Sequence, residues 1–150
     1  MLSKCFLFLI LILLGVKSQS QTLLNSDLSE IKKEIGLQKG GLKKIVLKKD
    51  SANISLKEVT FSYQTPPEGN TCIFDTKFYL TSNNKCFRYI DRYWGDELPY
   101  QKINELKKYY PTLKQVDNKS QWVDYQNKFE VILTQDKHTS AVFYLEIKDI

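Results

Sequence analysis

The sequence has little of the residue types on which most catalytic and metal sites depend. Its 150 residues include one histidine and three cysteines. Zinc sites and Ser–His or Cys–His nucleophilic pairs draw on histidine, and the single His138 falls in a predicted polar turn. No glycine-rich phosphate loop or calcium-binding loop is present in the sequence. We therefore expect no catalytic residue, no metal site and no cofactor.

Acidic residues leave one enzymatic alternative open. The 17 Asp and Glu residues are spread along the chain, and no pair of them stands out. Two of them could still meet in a cleft, as acid/base catalysis requires. A small carboxylate-dependent hydrolase is therefore the least favoured of three functional hypotheses.

An apolar block near the N-terminus is typical of a signal peptide. One lysine precedes ten apolar residues, 5–14, and a membrane-spanning helix needs roughly 20. Val16 and Ser18 then provide the side chains that a signal peptidase accepts before its cleavage site. We expect cleavage of residues 1–18, although cleavage after Ser20 or an uncleaved anchor is an alternative. The mature chain would be secreted or periplasmic, with no stable membrane span.

The charge of the mature chain argues against nucleic-acid binding. Loss of Lys4 and Lys17 lowers the formal net charge from +5 to +3, with 20 basic and 17 acidic side chains. Such a mixed surface lacks the basic excess that polyanion binding requires. The 42% hydrophobic and 13% aromatic content indicates a folded chain, long enough for one domain.

Apolar periodicity predicts an α+β fold. A first helix is expected over 26–36 and a second over 97–110, which Asp96 would cap. The second helix has one apolar face and would cover an antiparallel sheet of about five to seven strands. The predicted strands span 42–49, 54–63, 72–80, 86–94, 122–125, 129–134 and 141–148. After the signal peptide we expect an N-terminal helix and linker over 19–41 and a single α+β domain over 42–150.

Two cysteines remain after export, and an oxidising compartment would permit a disulfide between Cys72 and Cys86. If residues 81–84 form a turn, Cys86 lies opposite about Leu80 and Cys72 opposite about Trp94. The two cysteines are then ~20 Å apart along the ladder, beyond the Cα separation of about 7 Å that a disulfide tolerates. A different register, or a loop position for Cys72, would permit the bond, so both states remain open.

One segment concentrates residues that could bind a ligand. Arg88 and Arg92 are the two arginines of the protein, and strand alternation puts them on the same face as Trp94. Guanidinium groups suit carboxylate or phosphate, and aromatic rings stack on sugars or bases. This predicts a small-ligand or glycan site. In the structural alternative, the arginines pair with Asp75, Asp91 or acids of a helix.

Three stretches carry a resemblance to a known group of proteins: the end of the leader at 17–21, the lysine- and tyrosine-rich run at 100–110, and the segment QWVDY at 121–125. With these stretches the chain resembles small secreted proteins of Bacteroidota, of flavobacterial type, whose function is not assigned. The resemblance implies export to the periplasm or cell surface and a domain built from a sheet and a helix. It transfers no catalytic residue.

These observations favour a non-enzymatic, exported domain that binds another protein. The partner would be an envelope or extracellular protein held on an exposed sheet face or edge. The ligand-binding hypothesis that uses Arg88, Arg92 and Trp94 is the alternative.

Overall fold

A computed structural model describes residues 22–37, 40–49, 55–63, 72–117 and 119–150. The predicted signal peptide lies outside these described residues. Within them, neither helix combines the length and the apolar content that crossing a bilayer requires.

The described chain forms one antiparallel sheet and two helices. Its strands lie in the order β1-β2-β3-β4-β8-β7-β6-β5 across the sheet. The elements, in chain order, are α1 (Leu28–Leu37), β1 (Gly40–Lys49), β2 (Ser55–Tyr63), β3 (Cys72–Leu80), β4 (Cys86–Trp94), α2 (Glu97–Tyr109), β5 (Lys114–Gln115), β6 (Gln121–Asp124), β7 (Phe129–Gln135) and β8 (Val142–Asp149).

The predicted fold class, α+β with five to seven strands, is wrong. The described residues are 51% strand and 21% helix, and the sheet has eight strands, so the fold is mostly β. The missing strand is β5, two exposed residues that pair with β6 and are too short to show any periodicity. Strand β1 also begins two residues earlier than expected, because Gly40 and Gly41 pair with Tyr63 and Ser62 and are not part of a linker.

The order of elements repeats, although the sequence shows no repeat. A helix followed by a four-stranded meander occurs twice, as α1 with β1–β4 and as α2 with β5–β8. The last strands of the two halves pair antiparallel at the centre of the sheet, with Asp91 opposite Leu145 and Trp94 opposite Val142. The two meanders therefore form one continuous sheet.

One face of the sheet, the inner face, carries the core. Both helices contribute buried residues to it, Ile31 and Ile35 from α1 and Ile103 and Leu106 from α2. Phe78 is fully buried, with its ring 5.5 Å from that of Tyr89 and 5.7 Å from that of Phe61. The remaining core side chains are Val59, Leu80, Cys86, Tyr93, Leu113, Trp122, Phe129, Val131, Leu133, Leu145 and Ile147.

The two helices begin differently. Asp27 accepts hydrogen bonds from the Ser29 and Glu30 amides at 2.8 and 3.0 Å, and its own amide donates to the Glu30 carboxylate at 2.9 Å. This reciprocal arrangement is a capping box. The expected cap of α2 is wrong, because the Asp96 side chain makes no capping hydrogen bond.

The β3–β4 hairpin has the register expected from its turn. Leu80 lies opposite Cys86 and Cys72 opposite Trp94, while Asn84 supplies the positive φ of 57° that the turn needs. The two cysteines lie at opposite ends of the ladder, and both are free thiols.

This placement predicts unequal thiol reactivity. Cys86 is fully buried, and burial raises the pKa of its thiol to about 12, whereas Cys72 is only partly buried. We expect iodoacetamide to label Cys72 in the folded protein and Cys86 on the order of 100-fold more slowly. Peptide mass spectrometry after timed labelling measures both rates, and labelling in denaturant serves as the control. Equal rates in the folded protein would contradict the burial of Cys86.

Candidate functional site

The face of the sheet opposite the helices is a candidate binding surface. This outer face is defined by Lys77, Tyr79, Arg88, Arg92, Tyr144 and Glu146, whose side chains are half-buried. No helix of the described chain packs on it. It follows from strand alternation, because each residue next to a core residue on β3, β4 or β8 points the other way.

The structure places Arg88, Arg92 and Trp94 on the outer face, as the alternation predicts, but six strand positions, or about 20 Å, separate Arg88 from Trp94. Arg92 Nη2 lies 2.7 Å from Asp75 Oδ2, and Arg88 Nε lies 2.7 Å from Glu146 Oε1. The pairing of Arg92 with Asp75 is one of the structural alternatives that the sequence left open. Pairing with Asp91 is wrong, because Asp91 lies on the inner face.

Aromatic rings support both guanidinium groups. The Arg92 guanidinium lies 5.0 Å from the centre of the Phe74 ring, and the Arg88 guanidinium lies 4.9 Å from that of Tyr79. Trp94 is 41% exposed, and its ring meets Phe74 edge to face at 6.1 Å. Phe74, Arg92 and Trp94 thus form a cluster at one end of the outer face, the Trp94 cluster.

The cations at the centre of the outer face are paired with carboxylates. Besides the two arginines, Lys77 lies 3.5 Å from Glu58 and Lys148 lies 3.0 Å from Glu130. Each of these four cations therefore has its charge balanced locally. Within the described residues, the centre of the outer face has no unpaired basic stripe of the kind that phosphate backbones bind.

A second candidate site is a cleft of about 660 Å³ between α1 and α2, over the inner face. Its floor holds a chain of polar side chains. The Thr76 hydroxyl donates to Asp91 Oδ1 at 2.5 Å, and the Tyr93 hydroxyl donates to Asp91 Oδ2 at 3.1 Å. The Tyr63 hydroxyl lies 3.0 Å from Thr76 Oγ1. We call these four residues the floor network.

Burial is the largest cause of the pKa shifts in the floor network. Removal from water raises the pKa of Asp91 above its ordinary value, against the hydrogen bonds from Thr76 and Tyr93 and the positive charge of Lys102. The pKa values of Tyr63 and Tyr93 are likewise raised, first by burial and then by the negative charge of Asp91. A carboxyl group with a perturbed pKa in a cleft is a common mark of a functional site.

The floor network was not predicted from the sequence, although one signal for it is present. Asp91 alternates with Tyr89 and Tyr93 on β4, so it is an acid in the middle of an otherwise apolar strand face. Tyr63 and Thr76 come from β2 and β3, and nothing in the sequence indicates that either lies near Asp91.

The other chemistry considered from the sequence forms no catalytic or metal-binding group among the described residues. His138 is exposed in the turn between β7 and β8, where its amide donates to Asp136 Oδ1 at 2.8 Å. Among the described residues, no group of three or more His, Cys, Asp or Glu side chains is arranged to hold a metal ion.

Comparisons with protein-family models, with curated proteins and with solved structures find no match. The function must therefore be inferred from the surfaces of the molecule itself.

Proposed function

We propose that the mature chain is an exported, non-enzymatic domain that binds another protein on the outer face of its sheet. The observation that carries this proposal is the Trp94 cluster, where an exposed Trp, an Arg and a Phe meet on a face that no described helix covers. Tryptophan, tyrosine and arginine are the side chains that dominate binding energy in protein interfaces.

The composition of the outer face favours a protein partner over a polyanion. Arg, Trp, Tyr and Phe are enriched at protein interfaces relative to other surfaces. The central cations already have carboxylate partners, so the face attracts polyanions weakly. It fits a folded protein surface of low net charge, with the aromatic rings as anchors and the ion pairs as a polar surround.

The arginines are ordered before any partner binds. Each guanidinium is held between a carboxylate and an aromatic ring, as at Arg92 with Asp75 and Phe74. Holding long side chains in place beforehand reduces the entropy that binding would otherwise cost. The same pairing weakens the small-ligand alternative, because Asp75 and Glu146 already balance the two guanidinium charges that would attract a ligand anion.

Trp94→Ser should weaken partner binding at least tenfold, because it removes the exposed anchor of the Trp94 cluster. The matched control is Tyr125→Ser, since Tyr125 is 81% exposed in the turn between β6 and β7, away from that cluster. A photo-crosslinking amino acid would replace Thr134, which pairs with Tyr144 on the outer face. A second variant would carry it at Tyr125. Both variants would be irradiated in the cells that produce the protein.

We expect a protein to be crosslinked from position 134 and not from position 125. The Trp94→Ser change should remove the crosslinked product, while the melting temperature changes by only a few degrees. Equal crosslinking from both positions, or a product that survives Trp94→Ser, would show that the outer face is not the binding surface. If wild-type protein instead binds a glycan and Arg88→Ala or Arg92→Ala abolishes that binding, the small-ligand alternative is correct.

A further inference from the structure

We infer that the cleft between α1 and α2 binds an organic cation that carries N–H donors, namely a primary or secondary ammonium group on an apolar body. This inference rests on the floor network and is independent of the protein-binding role of the outer face.

The direction of the hydrogen bonds in the floor network determines what can bind to it. With Asp91 ionised, Thr76 uses its single hydroxyl proton on Oδ1 and Tyr93 uses its proton on Oδ2. The Thr76 proton is then committed, so Tyr63 must donate to Thr76 Oγ1 in the 3.0 Å contact between them. Every proton in the network therefore points toward Asp91, and the sites left for a ligand are lone pairs that accept hydrogen bonds.

The negative charge of Asp91 at the floor of the cleft also favours a cationic ligand. Asp91 is only 6% exposed, and none of the ion pairs among the described residues includes it. A buried carboxylate without a cationic partner is costly. Lys102 lines the same cleft and lowers the pKa of Asp91 through space, but it forms no ion pair with Asp91, so Asp91 lines the cleft without a cationic partner among the described residues.

The rim of the cleft is negatively charged, like its floor, although the formal net charge of the full chain is +5. Acids outnumber bases among the residues that line the cleft. The rim acids are Glu30, Glu34 and Glu105 and the bases are Lys33 and Lys102, and Asp91 adds a fourth acid at the floor. A local negative potential in a basic protein attracts cations and repels anions.

The walls of the cleft suit an apolar ligand body. Ile35, Ile73 and Leu98 line it together with the rings of Phe78 and Tyr89. The volume of about 660 Å³ lies within the range of roughly 300–1,000 Å³ that is usual for small-molecule sites. A mostly apolar wall with a few convergent polar groups at one end is the usual plan of such a site.

Isothermal titration calorimetry with matched amines and alcohols tests the inference. The probes are 2-phenylethylamine and hexylamine, each compared with its alcohol, 2-phenylethanol or 1-hexanol, which has the same apolar body without the cation. We expect at least one amine to bind at least tenfold more tightly than its alcohol, because only the ammonium group compensates Asp91 and satisfies the acceptors.

Two variants that each remove one negative charge from the cleft locate the effect. Asp91→Asn should weaken amine binding at least tenfold, whereas Glu105→Gln at the rim should weaken it less than about threefold. Tyr63→Phe keeps the ring and removes the hydroxyl oxygen that can accept from a ligand, while the lone pair it frees on Thr76 Oγ1 is buried because Thr76 is 1% exposed. It provides a further test that does not require Asp91→Asn to fold. It should weaken amine binding about threefold or more.

Three results would overturn the inference. They are no preference for either amine over its alcohol at concentrations up to about 10 mM, equal losses in Asp91→Asn and Glu105→Gln, and unchanged affinity in Tyr63→Phe. None of these measurements depends on the outer face, so failure of the protein-binding proposal would leave them unaffected.

Discussion

Phe78→Ala should lower the free energy of unfolding by about 3–5 kcal/mol, the usual cost of removing a buried phenylalanine ring. Phe78 is fully buried in the β3 strand, stacked on Tyr89 and edge-on to Phe61. The substitution leaves a cavity among rings from β2, β3 and β4, and paired strands restrict how far the neighbours can move to fill it. Urea denaturation followed by far-ultraviolet circular dichroism measures the change.

The control for this substitution is Tyr125→Ala, which truncates an aromatic ring that is 81% exposed. It should change the free energy of unfolding by no more than about 0.5 kcal/mol. If Phe78→Ala were as mild as Tyr125→Ala, Phe78 would not lie at the centre of the core.

Thr76→Val should cost about 1–3 kcal/mol of stability at neutral pH, although the two side chains have nearly the same shape. The valine removes the hydroxyl that donates to Asp91 and accepts from Tyr63, so one buried carboxylate oxygen and one tyrosine hydroxyl lose a partner. Thermal and urea denaturation compare the variant with the wild type. Thr134→Val, at an exposed position on β7, is the matched control and should have an effect of no more than about 0.5 kcal/mol.

The cost of Thr76→Val should grow as pH rises. Burial raises the pKa of Asp91 in the folded protein above 3.8. The stability linked to this group is therefore fully present below pH 3.8 and is lost as pH rises through the folded pKa. The hydrogen bond from Thr76 lowers that pKa, so its loss raises the pKa further and penalises the ionised form.

The difference between Thr76→Val and wild type should thus be smallest in acid and largest above the folded pKa of Asp91. Denaturation curves at several pH values measure this difference directly. A difference that stays constant, or that shrinks toward neutral pH, would mean that Thr76 does not stabilise the Asp91 carboxylate.

Local signals were sufficient for the β3–β4 hairpin and for the position of α2 in the chain, although not for its N-terminal cap. Asparagines in the 81–84 turn and alternating residues on both sides set the register in which Leu80 faces Cys86. The helical spacing of apolar residues correctly predicted that Ile103 and Leu106 are buried, but it was wrong for Tyr100, which the same spacing places on that face and which is 46% exposed. Both elements are formed by contacts between residues that are close in the sequence, so the local sequence is enough to predict them.

Signals of this kind were absent for β5 and misleading for part of β1. Lys114 and Gln115 are exposed and pair with Val123 and Trp122. Their strand conformation therefore depends on backbone pairing with β6. The glycines that begin β1 suggested a break, but pairing with β2 overrides that local preference.

By itself, the sequence determined the alternation that puts Arg88, Arg92 and Trp94 on one strand face and Asp91 on the other, because side-chain direction along a strand has a period of two. Tertiary structure alone decided that α1 joins α2 in the same core and that β4 pairs with β8 at the centre of the sheet. Those pairings join residues distant in the chain, and they depend on burial of apolar surface summed over the whole domain. The same long-range packing turned Asp91 into the floor of a cleft and left the arginines on the outer face.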